Sequence, residues 1–250
     1  MVVIVYPEKK FIIAAHNKCG TSAILSWFGD IMGISLTEWN VYEKFIKNNK
    51  QYMFNPKNDY SDYKVIFVIR NPLDRLISAY LHIFVRDLKK TMSKKTGHIY
   101  SHDILVNPKY KMDNFVDLIQ LLERSKNKEF NLFEDVHYSP QERTLGLLLN
   151  MNIKPDIIIN TSDLSSGFLQ LNSIFNLNGK VYNDNVNKLI NKQFIRRNNT
   201  KYYLCTIHQL YKMKELPPYN QFYTDELEEK VKILMKEDYD IFKKINAVNV

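Results

Sequence analysis

The loop that follows the apolar run Phe11–Ala15 carries residues that could bind a phosphate or a sulfate group. A helix is predicted to open at Thr21 or Ser22, so the loop leads into a helix N-terminus. Such an end presents unpaired backbone N–H groups and the positive end of the helix dipole. Lys18 adds a charge, and Gly20 would let the backbone approach a ligand closely. The pattern predicts an oxyanion site, and an ordinary capped helix after a strand is the structural alternative.

Arg70 is the second candidate for binding an anion. It directly follows the run Lys64–Ile69, which is almost wholly β-branched or aromatic. Ligands bind at the carboxyl ends of strands in open α/β sheets, and a guanidinium holds an oxyanion with a planar pair of donors. Ser78 lies about two turns into the helix that follows, so the two side chains could share one phosphate. Arg75 is the competing arginine, and an Arg70 buried against a carboxylate is the structural alternative.

The glycine and lysine of the first loop do not form a Walker A motif. That motif requires G-x-x-x-x-G-K-[ST], with the lysine directly after the second glycine. Lys18 instead precedes Gly20 by two residues, and Ala15 stands where the first glycine is required. These departures argue against an ATPase. A P-loop kinase or NTPase remains an alternative, because fold analogy alone does not exclude it.

Three strand–loop–helix units must position these residues. Three segments are apolar apart from end residues, a pattern typical of parallel strands covered on both faces. They are Phe11–Ala15, Lys64–Ile69 and Asp156–Asn160. A helical pattern follows each run. The recurrence predicts an α/β fold, P-loop-like and three-layered, with a central, mostly parallel sheet flanked by helices.

The rest of the chain is predicted to add helices to this sheet within a single domain, 1–250. Helical segments are expected near 113–125, 140–150 and 225–245. The stretch 87–112 is rich in lysine and lacks a clear period, which predicts a loop-rich insertion. It could attract an acidic glycan or be an ordinary solvated loop.

Composition places the chain among globular proteins. Its 250 residues are 45% hydrophobic and 25% charged, which excludes a disordered chain. Two cysteines, Cys19 and Cys205, cannot brace a fold of this size, so a reducing compartment is expected. No apolar run approaches the ~20 residues that span a bilayer. The first strand begins too early for a signal peptide, so we expect a cytoplasmic protein without a membrane span.

The net charge of +8, from 35 basic and 27 acidic residues, indicates an anionic partner without identifying it. The lysines are scattered, and most aromatic residues have core-like spacing. Nucleic acid is therefore not the expected partner, although a nucleic-acid-binding module is the alternative that the charge suggests. The sequence does not indicate the oligomeric state.

Four segments together resemble the sulfotransferases that act on carbohydrates. His16–Ser22 resembles their K-x-G-[ST]-[ST] loop, and Val68–Tyr80 is similar to their element V-x-R-[DN]-P-x-x-R-L-x-S-x-Y. Asp135–Gln141 resembles the D-x-H-W-x-P-Q segment of the membrane-bound Golgi enzymes that sulfate chondroitin and related glycans. Tyr239–Phe242 lies in a stretch similar to the family's tail. The segments occur in the family's order and cover essentially the whole chain.

The resemblance implies that the sulfate donor is 3′-phosphoadenosine 5′-phosphosulfate (PAPS). The residues that would hold its 5′-phosphosulfate are Lys18, Cys19, Gly20, Thr21 and Ser22. Arg70 and Ser78 would hold its 3′-phosphate. Arg196 and Arg197 would lie in the segment that closes over the cofactor. Cys19 is a substitution relative to the family's loop, and we expect it to act there simply as a small residue.

The acceptor hydroxyl needs a general base, and the sequence leaves three candidates. Related sulfotransferases use a His or Glu, often from the segment between the first helix and the second strand, where this chain offers Glu38 and Glu43. His137 is the alternative, with Asp135 two residues before it. His16 abuts the loop and is expected to orient it.

The implied reaction is in-line transfer of a sulfuryl group to a hydroxyl, with a carbohydrate as the favoured acceptor. Lys18 and the helix N-terminus would stabilise the charge that develops on the bridging oxygen. No His/Cys cluster has metal-ligand spacing, so no metal is expected. A tyrosine or a small-molecule alcohol is an alternative acceptor. A relative that binds a glycan without catalysis is an alternative function.

Overall fold

The computed structural model describes residues 1–36, 39–86, 88, 104, 110, 112–125, 132–181, 200–213 and 215–248. The chain divides into two units. The first comprises Met1–Asn71, Gln141–Asn185 and Ile241–Val250, and the second comprises Pro72–Pro140 and Val186–Asp240. The expectation of a single domain stays a prediction.

The first unit is organised by a four-stranded sheet in the order β1-β2-β3-β4. The strands are β1 Val2–Tyr6, β2 Phe11–Ala15, β3 Lys64–Ile69 and β4 Ile157–Asn160. Strand β1 is antiparallel to β2, and β2, β3 and β4 are parallel. The predicted α/β fold, with a mostly parallel sheet flanked by helices, is confirmed.

Strand β1 is absent from the sequence-based prediction, although the run Val2–Tyr6 is apolar. Two-residue hairpins are usually signalled by Asn-Gly or Asp-Gly, and this connection carries neither. A 3-10 turn at Pro7–Lys9 and a left-handed Lys10, with φ of 49°, make the reversal instead. The hairpin therefore lacks the turn signal that would reveal it.

Helices surround the sheet and build the second unit. In the part of the chain that the structure describes, the α-helices are α1 Thr21–Ile31, α2 Trp39–Asn48, α3 Pro72–Tyr80, α4 Phe115–Ser125, α5 Glu142–Leu149, α6 Leu164–Phe175, α7 Ile207–Tyr211, α8 Asp225–Leu234 and α9 Lys236–Val248. A π-helical turn, Leu81–Arg86, continues α3. Further 3-10 turns lie at Lys50–Tyr52, Leu132–Glu134, Thr161–Asp163, Tyr202–Leu204 and Tyr219–Phe222.

Both faces of the sheet are covered within the first unit. On one face, Val68 belongs to a core shared with α1 and α6, where the rings of Trp27 and Phe168 stack with centroids 5.1 Å apart. On the other face, Phe67 packs in a core with Leu148 of α5. Because successive side chains of a strand point to opposite faces, the whole apolar run of β3 is buried.

The second unit is helical in the residues that the structure describes. Its core joins α3, the π-helical turn, α4, α7 and α8, and the rings of Tyr80 and Phe115 lie 5.2 Å apart in it. Of the stretch 87–112, the structure describes four residues, Leu88, Ile104, Tyr110 and Met112. Leu88, Ile104 and Met112 are buried in this core. The loop-rich character of the remainder, and its attraction for an acidic glycan, stay predictions.

The single helix expected near 225–245 is wrong, because the chain breaks at Met235. This residue has φ of −107° and ψ of 35°, outside the helical region, and a new helix begins directly after it. Val231 lies in the core of the second unit, whereas Phe242 packs against the core of the first. Apolar residues at helical spacing thus continue across a break that periodicity alone does not reveal.

Candidate functional site

The loop between β2 and α1 has the geometry of an anion site. Lys18 and Gly20 are both left-handed, with φ of 69° and 75°. Gly20 is the N-cap of α1 and has no side chain that could occupy the helix end. The Cys19 N–H donates to the His16 carbonyl at 3.1 Å, which closes the turn. No side chain of the described residues caps the first backbone N–H groups of α1, and the binding of an anion there stays a prediction.

Gly20 is needed for a reason that the sequence does not suggest. A Cβ at this position would lie 2.9 Å from Leu164 Cδ2 and 3.5 Å from Thr161 Cγ2. The side-chain space is thus filled by the start of α6 rather than left for a ligand. Together with the positive φ, this contact makes glycine the fitting residue.

Arg70 contacts the loop directly. Strands β2 and β3 are parallel neighbours, with Ala15 opposite Val68, so their carboxyl ends meet at one edge of the sheet. The Nη1 of Arg70, two residues beyond Val68, donates to the Lys18 carbonyl at 2.9 Å. The structure therefore brings together two segments that the sequence identified separately, 52 residues apart.

A buried amide that the sequence analysis assigned no role joins the same two segments. Gln141 Oε1 accepts from Cys19 Sγ at 3.2 Å and from the Arg70 N–H at 3.1 Å. Its Nε2 donates to the Arg70 carbonyl at 2.8 Å. Gln141 is only 1% exposed. Its one sequence signal is its place at the end of the segment Asp135–Gln141.

His16 is held against helix α5. Its Nδ1 lies 2.7 Å from Thr144 Oγ1, and both residues are buried. This contact fixes the first residue after β2, from which the loop departs. It supports the expectation that His16 orients the loop.

Arg75, the competing arginine, is engaged within the second unit. Its Nη2 lies 3.0 Å from Asp238 Oδ2, and both side chains are wholly buried. Its Nη1 donates to the His137 carbonyl at 3.3 Å. Arg75 therefore forms a structural ion pair, whereas Arg70 is half-exposed at a strand end.

His137 forms a pair with Asp135 in the second unit. Asp135 Oδ1 accepts from the His137 backbone N–H at 2.9 Å and lies 2.9 Å from His137 Nδ1. The carboxylate favours the tautomer that carries its proton on Nδ1, which leaves Nε2 as a proton acceptor. The ring of His82 stacks on that of His137, with centroids 6.2 Å apart. His82 is a neighbour that the sequence analysis did not identify.

Of the five remaining predicted site residues, the structure describes two. Ser78 is buried in α3, and Glu43 is exposed on α2. Glu38, Arg196 and Arg197 lie outside the described residues. The roles assigned to all five stay predictions.

No group of three or more His, Cys, Asp or Glu residues in the described ranges could hold a metal ion. The expectation of a metal-free reaction stays a prediction. Over the same part of the chain, none of the helices has the length and apolar character required to cross a bilayer.

The comparisons with known proteins give one match, which covers nearly the whole chain. Residues 4–244 match the family model described as "Sulfotransferase family". The matched range includes both the loop before α1 and Arg70, as well as the pair Asp135 and His137. No curated protein and no solved structure matches the chain.

Proposed function

Because the chain belongs to the sulfotransferase family, we propose that it moves the sulfuryl group of PAPS to a hydroxyl of a carbohydrate. Family membership establishes a transferase of sulfuryl groups with a hydroxyl-bearing acceptor. PAPS as the donor and the carbohydrate as the acceptor are the proposal. The observation that carries the proposal is the contact between Arg70 Nη1 and the Lys18 carbonyl, which joins two anion-binding segments.

A donor with anionic groups at both ends of one nucleoside fits these two segments. The left-handed turn and the uncapped start of α1 suit the 5′-phosphosulfate, where Lys18, Thr21 and Ser22 would add a charge and two hydroxyls. Arg70 would hold the 3′-phosphate with its guanidinium. The family resemblance assigns Ser78 to the same phosphate.

The chain's own groups would lower the barrier to transfer by electrostatics. PAPS supplies the activated sulfuryl group. Lys18 and the N–H groups of α1 would stabilise the negative charge that develops on the bridging oxygen. These groups are held by β2 and α1 before the reaction begins, so little reorganisation is needed.

His137 is the proposed general base. The carboxylate of Asp135 would favour the tautomer with its proton on Nδ1, so that Nε2 could accept the proton of the acceptor hydroxyl. It would also stabilise the imidazolium that results. Glu43 is the exposed alternative within the described residues. The carbohydrate acceptor rests on the resemblance of Asp135–Gln141 to the enzymes that sulfate glycans.

Thermal unfolding with nucleotides tests the donor. A ligand that binds only the native state raises its melting temperature, so adenosine 3′,5′-bisphosphate (PAP) at about 100 times its Kd would add about 2.7 kcal/mol of stability. We expect PAP to stabilise the protein more than ADP or ATP with Mg²⁺. No stabilisation by PAP, with stabilisation by Mg²⁺–ATP, would instead favour a kinase or NTPase.

Transfer of labelled sulfate tests the acceptor. The enzyme is incubated with labelled PAPS and, separately, a set of glycans, a tyrosine-containing peptide and a small alcohol. We expect label in the glycan products. Label in the peptide or the alcohol alone would contradict the carbohydrate acceptor and leave sulfuryl transfer intact.

A further inference from the structure

We propose that Gln141 is a positioning residue that locks Arg70 and the Lys18–Gly20 loop into one rigid anion-binding unit. The inference rests on the proposed function, because it concerns the two segments that would hold the two ends of the donor. One buried amide makes three hydrogen bonds, and both segments take part in them.

The first reason lies in the backbone of Arg70. This residue follows the last residue of β3, at the edge where β2 has already turned away into the loop. Gln141 donates to its carbonyl and accepts from its N–H, as the backbone of a neighbouring strand would. The amide thereby extends the sheet by one residue and fixes the position from which the guanidinium projects.

The second reason lies in the loop. Cys19 stands between two left-handed residues, and Lys18 adopts that conformation with a side chain, which is uncommon. Such a conformation persists only where surrounding contacts determine it. Two hydrogen bonds hold the loop here. Arg70 Nη1 donates to the Lys18 carbonyl, and Cys19 Sγ donates to Gln141 Oε1. Both depend on the placement of Arg70 and Gln141.

The consequence is a fixed spacing between the groups that would bind the two ends of the donor. Oε1 of Gln141 is shared between Cys19 and Arg70, so displacement of one segment disturbs the other. Without the amide, each segment could still bind its own anion. The gain in affinity from binding both anions of one molecule would then be reduced, because the groups would no longer be preorganised.

The experiment compares two ligands in calorimetry: PAP, which carries both phosphates, and AMP, which lacks the 3′-phosphate. The ratio of the AMP Kd to the PAP Kd measures the gain from the second phosphate. Gln141→Met keeps the length of the side chain and removes all three hydrogen bonds. We expect it to lower the ratio by about tenfold or more, towards the value of Arg70→Ala.

Asn172→Ala is the matched control. Asn172 is another amide of the first unit that joins two segments, accepting from Trp27 Nε1 at 2.9 Å and donating to the Gly179 carbonyl at 2.6 Å. Its loss should lower the melting temperature and change the ratio by less than about twofold, as expected for independent sites. Gln141→Asn, which shortens the side chain and keeps its polarity, gives the same test if Gln141→Met does not fold.

The outcomes separate the inference from the proposed function. A Gln141 variant with a lowered melting temperature and the wild-type ratio would show a structural residue only and overturn the inference. A wild-type protein that binds AMP as tightly as PAP would contradict the proposed function before any variant is made. A ratio that falls in the Gln141 variant and not in Asn172→Ala supports the positioning role.

Discussion

Arg70 directly follows β3 and Arg75 lies in α3, and the two arginines have different surroundings. Arg75 is wholly buried and its charge is matched by Asp238 at 3.0 Å. Arg70 is half-exposed, and its guanidinium donates to the Lys18 carbonyl at 2.9 Å. A guanidinium in a buried ion pair cannot bind an added anion without leaving its carboxylate unbalanced, so Arg75 is unsuited to the role proposed for Arg70.

Arg75→Met is expected to lower the free energy of unfolding by about 3–5 kcal/mol, because it removes the charge that balances the buried Asp238. Urea denaturation measures this loss. The double variant Arg75→Met/Asp238→Leu should recover much of it, since it removes both charges. A single variant within about 1 kcal/mol of the wild type would instead match an exposed ion pair and contradict the buried one.

His137→Ala is expected to slow single-turnover sulfuryl transfer by about 10²–10⁴-fold, because it removes the proposed base, while PAP affinity stays unchanged. Asp135→Asn should give a smaller loss, since the imidazole remains but its tautomer is no longer favoured by a carboxylate. His208→Ala, at an exposed histidine of α7, is the control. Near-normal turnover by His137→Ala would remove this residue as the base.

At the scale of elements, the segment between β2 and α1 contains a glycine, Gly20, that has a positive φ and packs closely against α6. Gly20 and Gly33, near the two ends of α1, both have positive φ, of 75° and 67°. Their surroundings differ: a Cβ on Gly20 would meet Leu164 at 2.9 Å, whereas one on Gly33 would meet nothing within 4 Å. Substituting Gly33 therefore measures the free-energy cost of the backbone conformation alone, whereas substituting Gly20 adds the cost of overpacking.

Gly33→Ala is expected to destabilise the protein by about 1–2 kcal/mol, the cost of a left-handed residue with a side chain. Gly20→Ala should cost a further ~1–3 kcal/mol, because Leu164 must move. Urea denaturation of both variants gives the difference. PAP affinity should fall in Gly20→Ala alone. Equal losses of stability would show that α6 adapts to the added methyl group without strain.

At the scale of the whole molecule, buried tyrosines are expected to lower the free energy of unfolding at alkaline pH. Burial raises the pKa of Tyr42 to about 12. Burial, followed by the hydrogen bond to Glu8, raises the pKa of Tyr52 to about 12. Burial also raises the pKa of Tyr80, Tyr138 and Tyr239 above 10. Each folded-state pKa exceeds the unfolded value of ~10, so the contributed stability is present below pH ~10 and is lost as pH rises towards ~12.

We therefore expect the urea midpoint to be nearly constant up to about pH 9 and to fall steeply above about pH 10. Tyrosinate absorbance should show that these groups titrate only as the chain unfolds. Tyr80→Phe should reduce the alkaline loss, because the Tyr80 hydroxyl is buried without a hydrogen-bond partner in the described structure. A midpoint that does not change up to about pH 11 would contradict this account.

The fold was predictable to the extent that its signals are local. Strands β2, β3 and β4 were predicted because each contains a short apolar run, such as Val65–Ile69 in β3. The start of α3 was predicted because Pro72 suits a first helical turn. Strand β1 was missed because its turn, Pro7–Lys10, carries no Asn-Gly or Asp-Gly signal of a hairpin. The break at Met235 was missed because apolar spacing continues past it.

The amino-acid sequence by itself determined the parallel sheet, the loop before α1 and the arginine at the end of β3, because each depends on residues that are neighbours in the chain. Tertiary structure alone decided that Arg75 is paired while Arg70 contacts the loop. It also decided that Gln141 joins residues 71 and 122 positions away. The physical reason is that hydrogen bonds and ion pairs between distant segments depend on how the elements pack, and local patterns carry no record of that packing.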